Sequence, residues 1–284
     1  MRPDTELISL ISLMDDPDFV IRNAVRDRLV ERGEEALEQI ERYCIHDFPV
    51  AKRESYLDFI DDVKRDIAFE KLSSLLESPQ PLLERGLFLV TKIADTSCEE
   101  TIYYSTIENL AEDISLEIAG EKTPVERVKI FNYLFFRRFR FHHADAKIES
   151  LEGALADRVL LSRGGNPVTI SLLYFLLSRS AGLPVYPLCF TGGFVPVYLD
   201  NDGKILFYLN IFKQGSIFLE ETLVQFFDDI GMKYEPESLK IEQERALVAI
   251  YTELLGFIYK NKGNTKIYER IERVTELFGG RRYL

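Results

Sequence analysis

Few side chains in this sequence can act as nucleophiles, proton carriers or zinc ligands. The chain has 284 residues and holds three cysteines and three histidines. In chain order they are Cys44, His46, Cys98, His142, His143 and Cys189. Thiol catalysis needs a cysteine beside a base, and zinc sites draw on the same two residue types. Any function that uses such chemistry must therefore rest on one of these six side chains.

Cys189 is the best candidate for a thiol nucleophile, but its neighbours are apolar. It lies in the run Val185–Phe190, which favours a buried structural cysteine. Thr169 and Ser171 carry hydroxyls near the start of an apolar helix, and no base is evident beside them. We therefore expect both hydroxyls to bond to the backbone rather than to attack a substrate.

The adjacent histidines, His142 and His143, precede Asp145 and raise the question of a metal site. Neighbouring side chains point in different directions, and the sequence offers no clear third ligand. We expect a solvated loop here and predict neither a metal nor a cofactor. His46 beside Asp47 is expected to be a surface pair at a helix end.

Arginines alternate with aromatic residues just upstream of the histidines, between residues 131 and 141. Arg137, Arg138 and Arg140 are set among phenylalanines. Such a cluster can bind phosphate or RNA. The interpretation we favour places the aromatic rings in the core and the arginines at its rim, paired with the chain's own carboxylates.

A glycine-containing loop followed by an apolar helix is the most informative segment. Gly164 and Gly165 precede Asn166, which suits an N-cap, and Pro167, which suits the first helical position. The pattern predicts a buried helix from Pro167 to Ser180, then a turn over Ala181–Pro184 and a strand. A helix start of this kind can stabilise a thiolate or bind an anion.

The remaining elements give a mostly helical α+β protein. Apolar stripes at helical spacing fill residues 1–120, and the D-P turn and Gly33 between them are typical of a HEAT-like repeat. One stripe is predicted to include Val20 and Leu29. Alternating runs after Pro184, with Asn201-Asp202-Gly203 between two of them, predict a small antiparallel sheet with a hairpin.

Two helices end the chain, over residues 239–262 and 265–278, and resemble one tetratricopeptide unit. A single unit cannot bury both of its faces, so the pair should pack on the rest of the chain. We predict three domains: an all-helical HEAT-like region at 1–120, an α+β core at 121–235, and a tetratricopeptide-like pair at 236–284.

The composition of the chain indicates its cellular compartment and disfavours some classes of partner. The 35 lysines and arginines face 47 aspartates and glutamates, a formal net charge of −12. This balance disfavours nucleic acid as a partner. The absence of a secretory pattern, of a long apolar run and of paired cysteines predicts a cytoplasmic protein with no membrane association.

Several ordered segments together resemble the SirB-type proteins of the transglutaminase-like superfamily, over about residues 124–278. The family's R-G-N-P helix start and L-G-L-P exit are similar to Arg163–Leu172 and Ala181–Pro184. Tyr133-Leu134-Phe135 resembles its upstream L-F segment, and the C-terminal helical pair resembles its tail. The resemblance implies a transglutaminase-like, papain-like core, with a small sheet packed on a central helix.

The same resemblance implies a Cys-His-Asp triad, and this chain departs from it at all three positions. The family's cysteine falls at about Pro167, within a window that reaches Ser171. Its P-G-H-F segment matches Thr191–Phe194, which puts Gly193 at the histidine position. Its I-D-P-F segment matches Leu209–Phe212, which puts Asn210 at the aspartate position. No catalytic residue is therefore predicted.

Two functions of different classes remain. The first is a non-catalytic binding or scaffold protein with a protein or peptide partner, built on a core that has lost its triad. The alternative is a cysteine-dependent acyl-transfer or hydrolase enzyme with Cys189 as a displaced nucleophile. A cleft near the lost triad is the expected binding site in either case. Its candidate residues are Gly165, Asn166, Thr169, Ser171, Cys189 and Gly192.

Overall fold

The computed structural model describes residues 5–47, 50–144, 150–190, 193–229, 231, 233–235 and 238–283. Asp145, Thr191 and Gly192 lie outside these residues, as do the side chains of Cys44, His46 and Asp47. The described chain is mostly helical with a small antiparallel sheet, which confirms the predicted fold class.

The twelve α-helices of the described residues are α1 (Thr5–Leu13), α2 (Phe19–Arg32), α3 (Glu34–Asp47), α4 (Val50–Glu77), α5 (Leu83–Ala94), α6 (Glu100–Ile118), α7 (Pro124–Asn132), α8 (Ala156–Ser162), α9 (Pro167–Ser180), α10 (Leu223–Asp229), α11 (Glu244–Asn261) and α12 (Thr265–Leu277). The strands are β1 (His142–His143), β2 (Gly164–Gly165), β3 (Val185–Phe190), β4 (Gly193–Leu199), β5 (Ile205–Asn210), β6 (Ser216–Phe218) and β7 (Lys240–Ile241). Short 3-10 turns cover Ile211–Lys213 and Glu220–Thr222.

The chain divides into two compact units. The first contains residues 1–78 and 92–97, and the second contains residues 79–91 and 98–284. The predicted three-domain division, with boundaries near residues 120 and 235, stays a prediction.

The first unit contains helices α1 to α4 and buries apolar residues at helical spacing. Asp18 caps α2 by accepting the backbone N–H of Val20 at 2.8 Å, and Gly33 ends it with φ +76°. Leu29 is fully buried, but Val20 is 72% exposed, so its predicted place on the core stripe is wrong. Val20 lies in the first turn, beside the cap, where the helix faces solvent.

The central helix of the second unit, α9, is the predicted buried helix with the predicted bounds. Every residue from Thr169 to Ser178 is buried. Helices α6, α8 and α11 and strand β3 pack against it. Such enclosure explains why its sequence is apolar on all sides.

The five-stranded sheet has the order β6-β5-β4-β3-β7, with all neighbours antiparallel. Asp200 Oδ1 accepts the backbone N–H of Asp202 and of Lys204, and Gly203 has φ +77°, which confirms the predicted hairpin. Side chains of β3 alternate between two cores. Leu188 and Phe190 pack with α10, whereas Cys189 packs with α11.

The C-terminal helices pack into the second unit, as predicted. Glu244 at the start of α11 accepts the backbone N–H groups of Leu82 and Leu83 and lies 3.2 Å from the Arg179 guanidinium of α9. The first helix begins at residue 244 rather than 239, because Ile241 pairs with Leu188 and extends the sheet.

Helix α7, which the Thr123 side chain caps, ends at Asn132. A π-helical turn follows over Tyr133–Arg138. Phe139 then donates its N–H to the Leu134 carbonyl at 2.8 Å, and Arg140 takes a left-handed conformation with φ +64°. The wider turn and the left-handed residue redirect the chain before β1.

Candidate functional site

The start of α9 has the local structure that its sequence predicts. Asn166 Oδ1 accepts the N–H of Thr169 at 2.9 Å, and Pro167 takes the first helical position. Thr169 Oγ1 donates to the Ala154 carbonyl at 2.9 Å, and Ser171 Oγ donates to the Pro167 carbonyl at 2.8 Å. Both hydroxyls therefore bond to the backbone, as expected. The buried Asn166 Nδ2 has no hydrogen-bond partner within the described residues.

A short parallel pair, β1 with β2, brings the histidines beside this helix start. His142 donates its N–H to the Arg163 carbonyl at 2.9 Å, and His143 lies opposite Gly165. Gly165 must be a glycine, because a Cβ there would lie 2.7 Å from Val159 Cγ1. No sequence pattern predicts this pairing, since two-residue strands carry no periodicity.

Cys189 lies in a small apolar group that we call the Cys189 cluster. Its members are Cys189, Val168, Phe194, Ala246, Ile250 and Tyr283. The cysteine is 4% exposed. Burial, and to a lesser degree the negative charge of Glu242, raises the pKa of its thiol to about 12. A thiol in this setting stays protonated at neutral pH.

Gly193 begins β4, directly opposite Phe190 in β3. A Cβ at Gly193 would lie 3.0 and 3.1 Å from atoms of the Phe190 ring, so the ring occupies much of the space a side chain would need. Gly192, the neighbouring candidate for the cleft, lies outside the described residues.

Asn210 ends β5 and holds the turn that follows. Its Oδ1 accepts the N–H of Lys213 at 3.1 Å, and its carbonyl accepts the N–H of Gly215 at 2.8 Å. Only 9% of the residue is exposed. An asparagine at this place therefore acts as the cap of a 3-10 turn.

A buried network joins this turn to α9. Tyr174 on α9 donates its hydroxyl to Asn132 Oδ1 at 2.6 Å, and Asn132 Nδ2 donates to the Gly215 carbonyl at 2.6 Å. Gly215 has φ +72°, and a Cβ there would lie 2.1 Å from Asn132 Oδ1. The approach therefore needs a glycine. Burial also raises the pKa of Tyr174, so it stays a neutral donor.

Residues close in sequence to the three predicted triad positions contact either the Cys189 cluster or His143. Val168, after Pro167, and Phe194, after Gly193, both belong to the Cys189 cluster. Gly165, two residues before Pro167, pairs with His143, whose Nε2 lies 3.5 Å from the Ile211 carbonyl, next to Asn210. The start of α9 thus has two neighbours, which we call its two sides: the Cys189 cluster, which Val168 contacts, and His143, which pairs with Gly165 just before the helix.

A cavity of about 400 Å³ opens on the His143 side, and we call it the basic pocket. The residues that line it are Phe136, Arg137, Arg140, Phe141, His142, His143, Ile211, Phe212 and Gln214. The His143 and Phe212 rings stack with centroids 5.3 Å apart. Burial lowers the pKa of His143, opposed by the contact with the Ile211 carbonyl.

The predicted role of the arginine cluster is partly wrong. Phe131, Phe135 and Phe141 are in the core, where Phe131 and Phe135 contact the Tyr174 ring, but Tyr133 is 63% exposed. Arg138 pairs with Asp113 at 3.3 Å and Glu117 at 3.1 Å, as expected. Arg137 and Arg140 form no ion pair within the described residues and line the basic pocket instead.

The sequence did not predict the basic pocket, although its parts were visible. Four cationic or titratable residues, Arg137, Arg140, His142 and His143, fall within a short segment. The sequence patterns predict two separate features here, a core rim at the arginines and a solvated loop at the histidines. The pocket also needs the remote Phe212 and Gln214, and only the fold brings these close.

The described part of the chain contains no group of three or more histidine, cysteine or acidic residues arranged to hold a metal ion. None of its helices combines the length and apolar character needed to cross a bilayer.

Comparison with known proteins identifies one family. Residues 102–252, which run from α6 into α11, match the model described as the transglutaminase-like superfamily. The match covers more than half of the chain and includes α9, the Cys189 cluster's strands and the basic pocket. Searches of curated proteins and of solved structures found no match.

Proposed function

Because this chain belongs to the transglutaminase-like superfamily, we propose that it is a SirB-type member that has lost its catalytic triad. We propose that it acts as a non-catalytic binding or scaffold protein. Its partner is a protein or a peptide rather than nucleic acid or a membrane, and its setting is the cytoplasm.

The observation that carries this proposal is the state of Cys189. The residue is 4% exposed, and burial raises the pKa of its thiol to about 12, so the thiol stays protonated at pH 7. Acyl transfer by this superfamily's mechanism needs a thiolate and an adjacent imidazole. The charged group that acts on the Cys189 thiol is the carboxylate of Glu242 rather than an imidazole. This weighs against the alternative of a cysteine-dependent enzyme with a displaced nucleophile.

The two other mapped positions support the same proposal. Gly193 has no side chain that can accept a proton, and the Phe190 ring fills the space beside it. Asn210 uses its side-chain oxygen to cap a turn. In this proposal the helix, strand and turn that once held a triad now have a structural role.

A surface for a protein partner is supported by apolar side chains in the first unit. Phe19 and Val20, at the start of α2, are 65% and 72% exposed. Exposed apolar side chains that form one contiguous patch are typical of interaction surfaces, and we propose that these two consecutive residues belong to such a patch. HEAT-like helices over residues 1–120 and a tetratricopeptide-like pair over 236–284 would present such surfaces.

The loss of catalysis is tested by thiol labelling of the full chain. Native protein is treated with iodoacetamide, and each cysteine-containing peptide is quantified by mass spectrometry. Cys189 should react at least about 10³-fold more slowly than in denaturant, because only its thiolate is nucleophilic. Rapid native labelling at Cys189, absent in Cys189→Ala, would instead support the enzyme.

The binding surface is tested by affinity capture from cells. The double variant Phe19→Ser, Val20→Ser should lose partners that the wild type retains. Leu116→Ser is the matched control, since Leu116 is 71% exposed on α6 in the other unit. If the double variant and the control capture the same proteins as the wild type, the proposed surface is wrong.

A further inference from the structure

The basic pocket has an unbalanced charge. None of its nine lining residues is acidic, and two of them are arginines. Arg137 and Arg140 form no ion pair within the described residues, although acidic residues exceed basic ones by 47 to 35 in this chain. Arg138, between them, pairs with two carboxylates. Two guanidinium groups that line one cavity and have no carboxylate partner in the described part of the chain favour an anionic ligand.

The backbone holds two of the lining residues in an uncommon conformation. Arg140 and Gln214, which both line the pocket, have φ values of +64° and +55°. The third left-handed non-glycine residue of the described chain, Arg163, places its guanidinium 4.9 Å from the ring centroid of Phe141, another lining residue. Left-handed non-glycine residues cost free energy and concentrate at functional sites.

One wall of the pocket can contact an organic group. The Phe212 side chain is 59% exposed and stacks on the His143 ring. Phe136 and Phe141 also line the cavity. A volume of about 400 Å³ falls in the range of pockets for small ligands.

The donors favour phosphate over carboxylate. Two guanidinium groups supply two positive charges and up to ten N–H donors. A phosphomonoester near neutral pH carries close to two negative charges and three terminal oxygens, so it can use both arginines at once. We propose that the basic pocket binds a small phosphomonoester, with its phosphate on Arg137 and Arg140 and its organic part on Phe212.

Calorimetric titration of the full chain with phenyl phosphate tests this site. Saturable binding with a Kd below about 1 mM is expected. Inorganic phosphate and benzoate should each bind more weakly, the first because it has no ring and the second because it carries only one negative charge and two oxygens. The proposal is overturned if phenyl phosphate shows no saturable binding, or if either of the other two binds as tightly.

Substitutions of the arginines test whether phenyl phosphate binds in the basic pocket. Arg137→Gln with Arg140→Gln should weaken phenyl phosphate at least about tenfold. Arg138→Gln, the matched control, should change it less than about twofold. Equal weakening by the control would mean diffuse attraction to positive charge and would overturn the site. All three side chains are exposed, and unfolding midpoints check that the variants fold. If the double variant is unstable, the two single variants decide.

Phe212→Ser separates the two halves of the proposal. It should weaken phenyl phosphate and leave inorganic phosphate unchanged. An unchanged affinity for phenyl phosphate would overturn the assigned role of Phe212. The proposed phosphate site does not depend on the proposed loss of catalysis. Thiol labelling of Cys189 and phosphate binding are measured independently, so either proposal can fail alone.

Discussion

The Cys189 cluster and the basic pocket, on the two sides of the start of helix α9, differ in whether their polar groups have partners within the described chain. On one side, the Cys189 cluster encloses a single thiol in apolar contacts. On the other side, the basic pocket exposes two arginines that have no carboxylate partner among the described residues. Both sides are built on the fold of one superfamily, and residues beside the mapped triad positions lie in each.

This difference indicates where a ligand is needed. A buried, satisfied cluster gains stability from packing, and a ligand has nothing to add there. Unpaired charges and left-handed residues, by contrast, contribute little to folding and persist where another function holds them. Within one domain, the closed side therefore maintains the fold, and the open side is where binding is expected.

The largest effect is expected at Gly215, which the Asn132 network encloses. Gly215→Ala should lower the free energy of unfolding by about 2–4 kcal/mol, because a Cβ must displace Asn132 and adopt positive φ. Gly203→Ala is the matched control: its φ is +77°, and nothing lies within 4 Å of the added Cβ. That variant should lose about 1 kcal/mol in denaturant titrations. Equal losses would show that the network does not enclose Gly215.

A smaller loss should follow from making the closed side polar. Cys189→Ser should destabilise the protein by about 1–3 kcal/mol, because a buried hydroxyl replaces a thiol among apolar neighbours. Cys189→Ala removes the same sulfur without adding a polar group and should cost less. Denaturant unfolding of both variants measures the difference. If serine is tolerated better than alanine, the cluster contains a polar partner and the contrast between the two sides fails.

The elements that the sequence predicted well are those with local signals. Asn166 and Pro167 mark the start of α9 because capping and a fixed φ act within one turn. The hairpin at Gly203 has the same local origin. The family match then confirms a transglutaminase-like domain over residues 102–252.

The basic pocket could not be predicted, because its geometry depends on remote contacts. The pairing of His143 with Gly165 and the approach of Ile211 join segments that no periodicity relates. The π-helical turn and the left-handed Arg140 also depend on packing around them rather than on propensity. For the pocket the sequence patterns miss a feature that is present, whereas for Val20 they predict burial that is absent. Val20 is apolar and at helical spacing, but it is exposed.

His143 gives the open side a pH dependence. Its folded pKa is lowered by burial, so the unfolded state binds the proton more readily. Its contribution to stability is therefore present above the ordinary histidine pKa of about 6.5 and is lost as pH falls below it. His143→Gln should remove this part of the pH profile, so wild type should lose more stability than the variant between pH 7.5 and 5.5, roughly the window set by that pKa. Parallel profiles in denaturant titrations would contradict this.

Gln214 should show that the pocket holds strain that folding does not need. Gln214→Gly relieves a left-handed non-glycine conformation and should raise the free energy of unfolding by up to about 1 kcal/mol. Gln214→Ala, the matched control, keeps the Cβ and should gain nothing. A loss of stability in the glycine variant would mean that the Gln214 side chain stabilises the fold and would remove one difference between the two sides.

The smallest effects on stability should come from the arginines of the pocket. Arg137→Gln and Arg140→Gln remove no ion pair that the described chain makes, so each should change the free energy of unfolding by less than about 0.5 kcal/mol. Arg138→Gln breaks contacts to Asp113 and Glu117 and should cost about 0.2–1 kcal/mol, the value typical of exposed pairs. For phenyl phosphate affinity the order of the three effects should reverse: the Arg137 and Arg140 variants should bind more weakly, and the Arg138 variant should bind as the wild type does.

Denaturant titration of the three variants gives the order of their effects on stability, and calorimetry gives the order of their effects on affinity. If one order holds for both measurements, the arginines of the open side serve the fold, and the two sides of α9 do not differ in function.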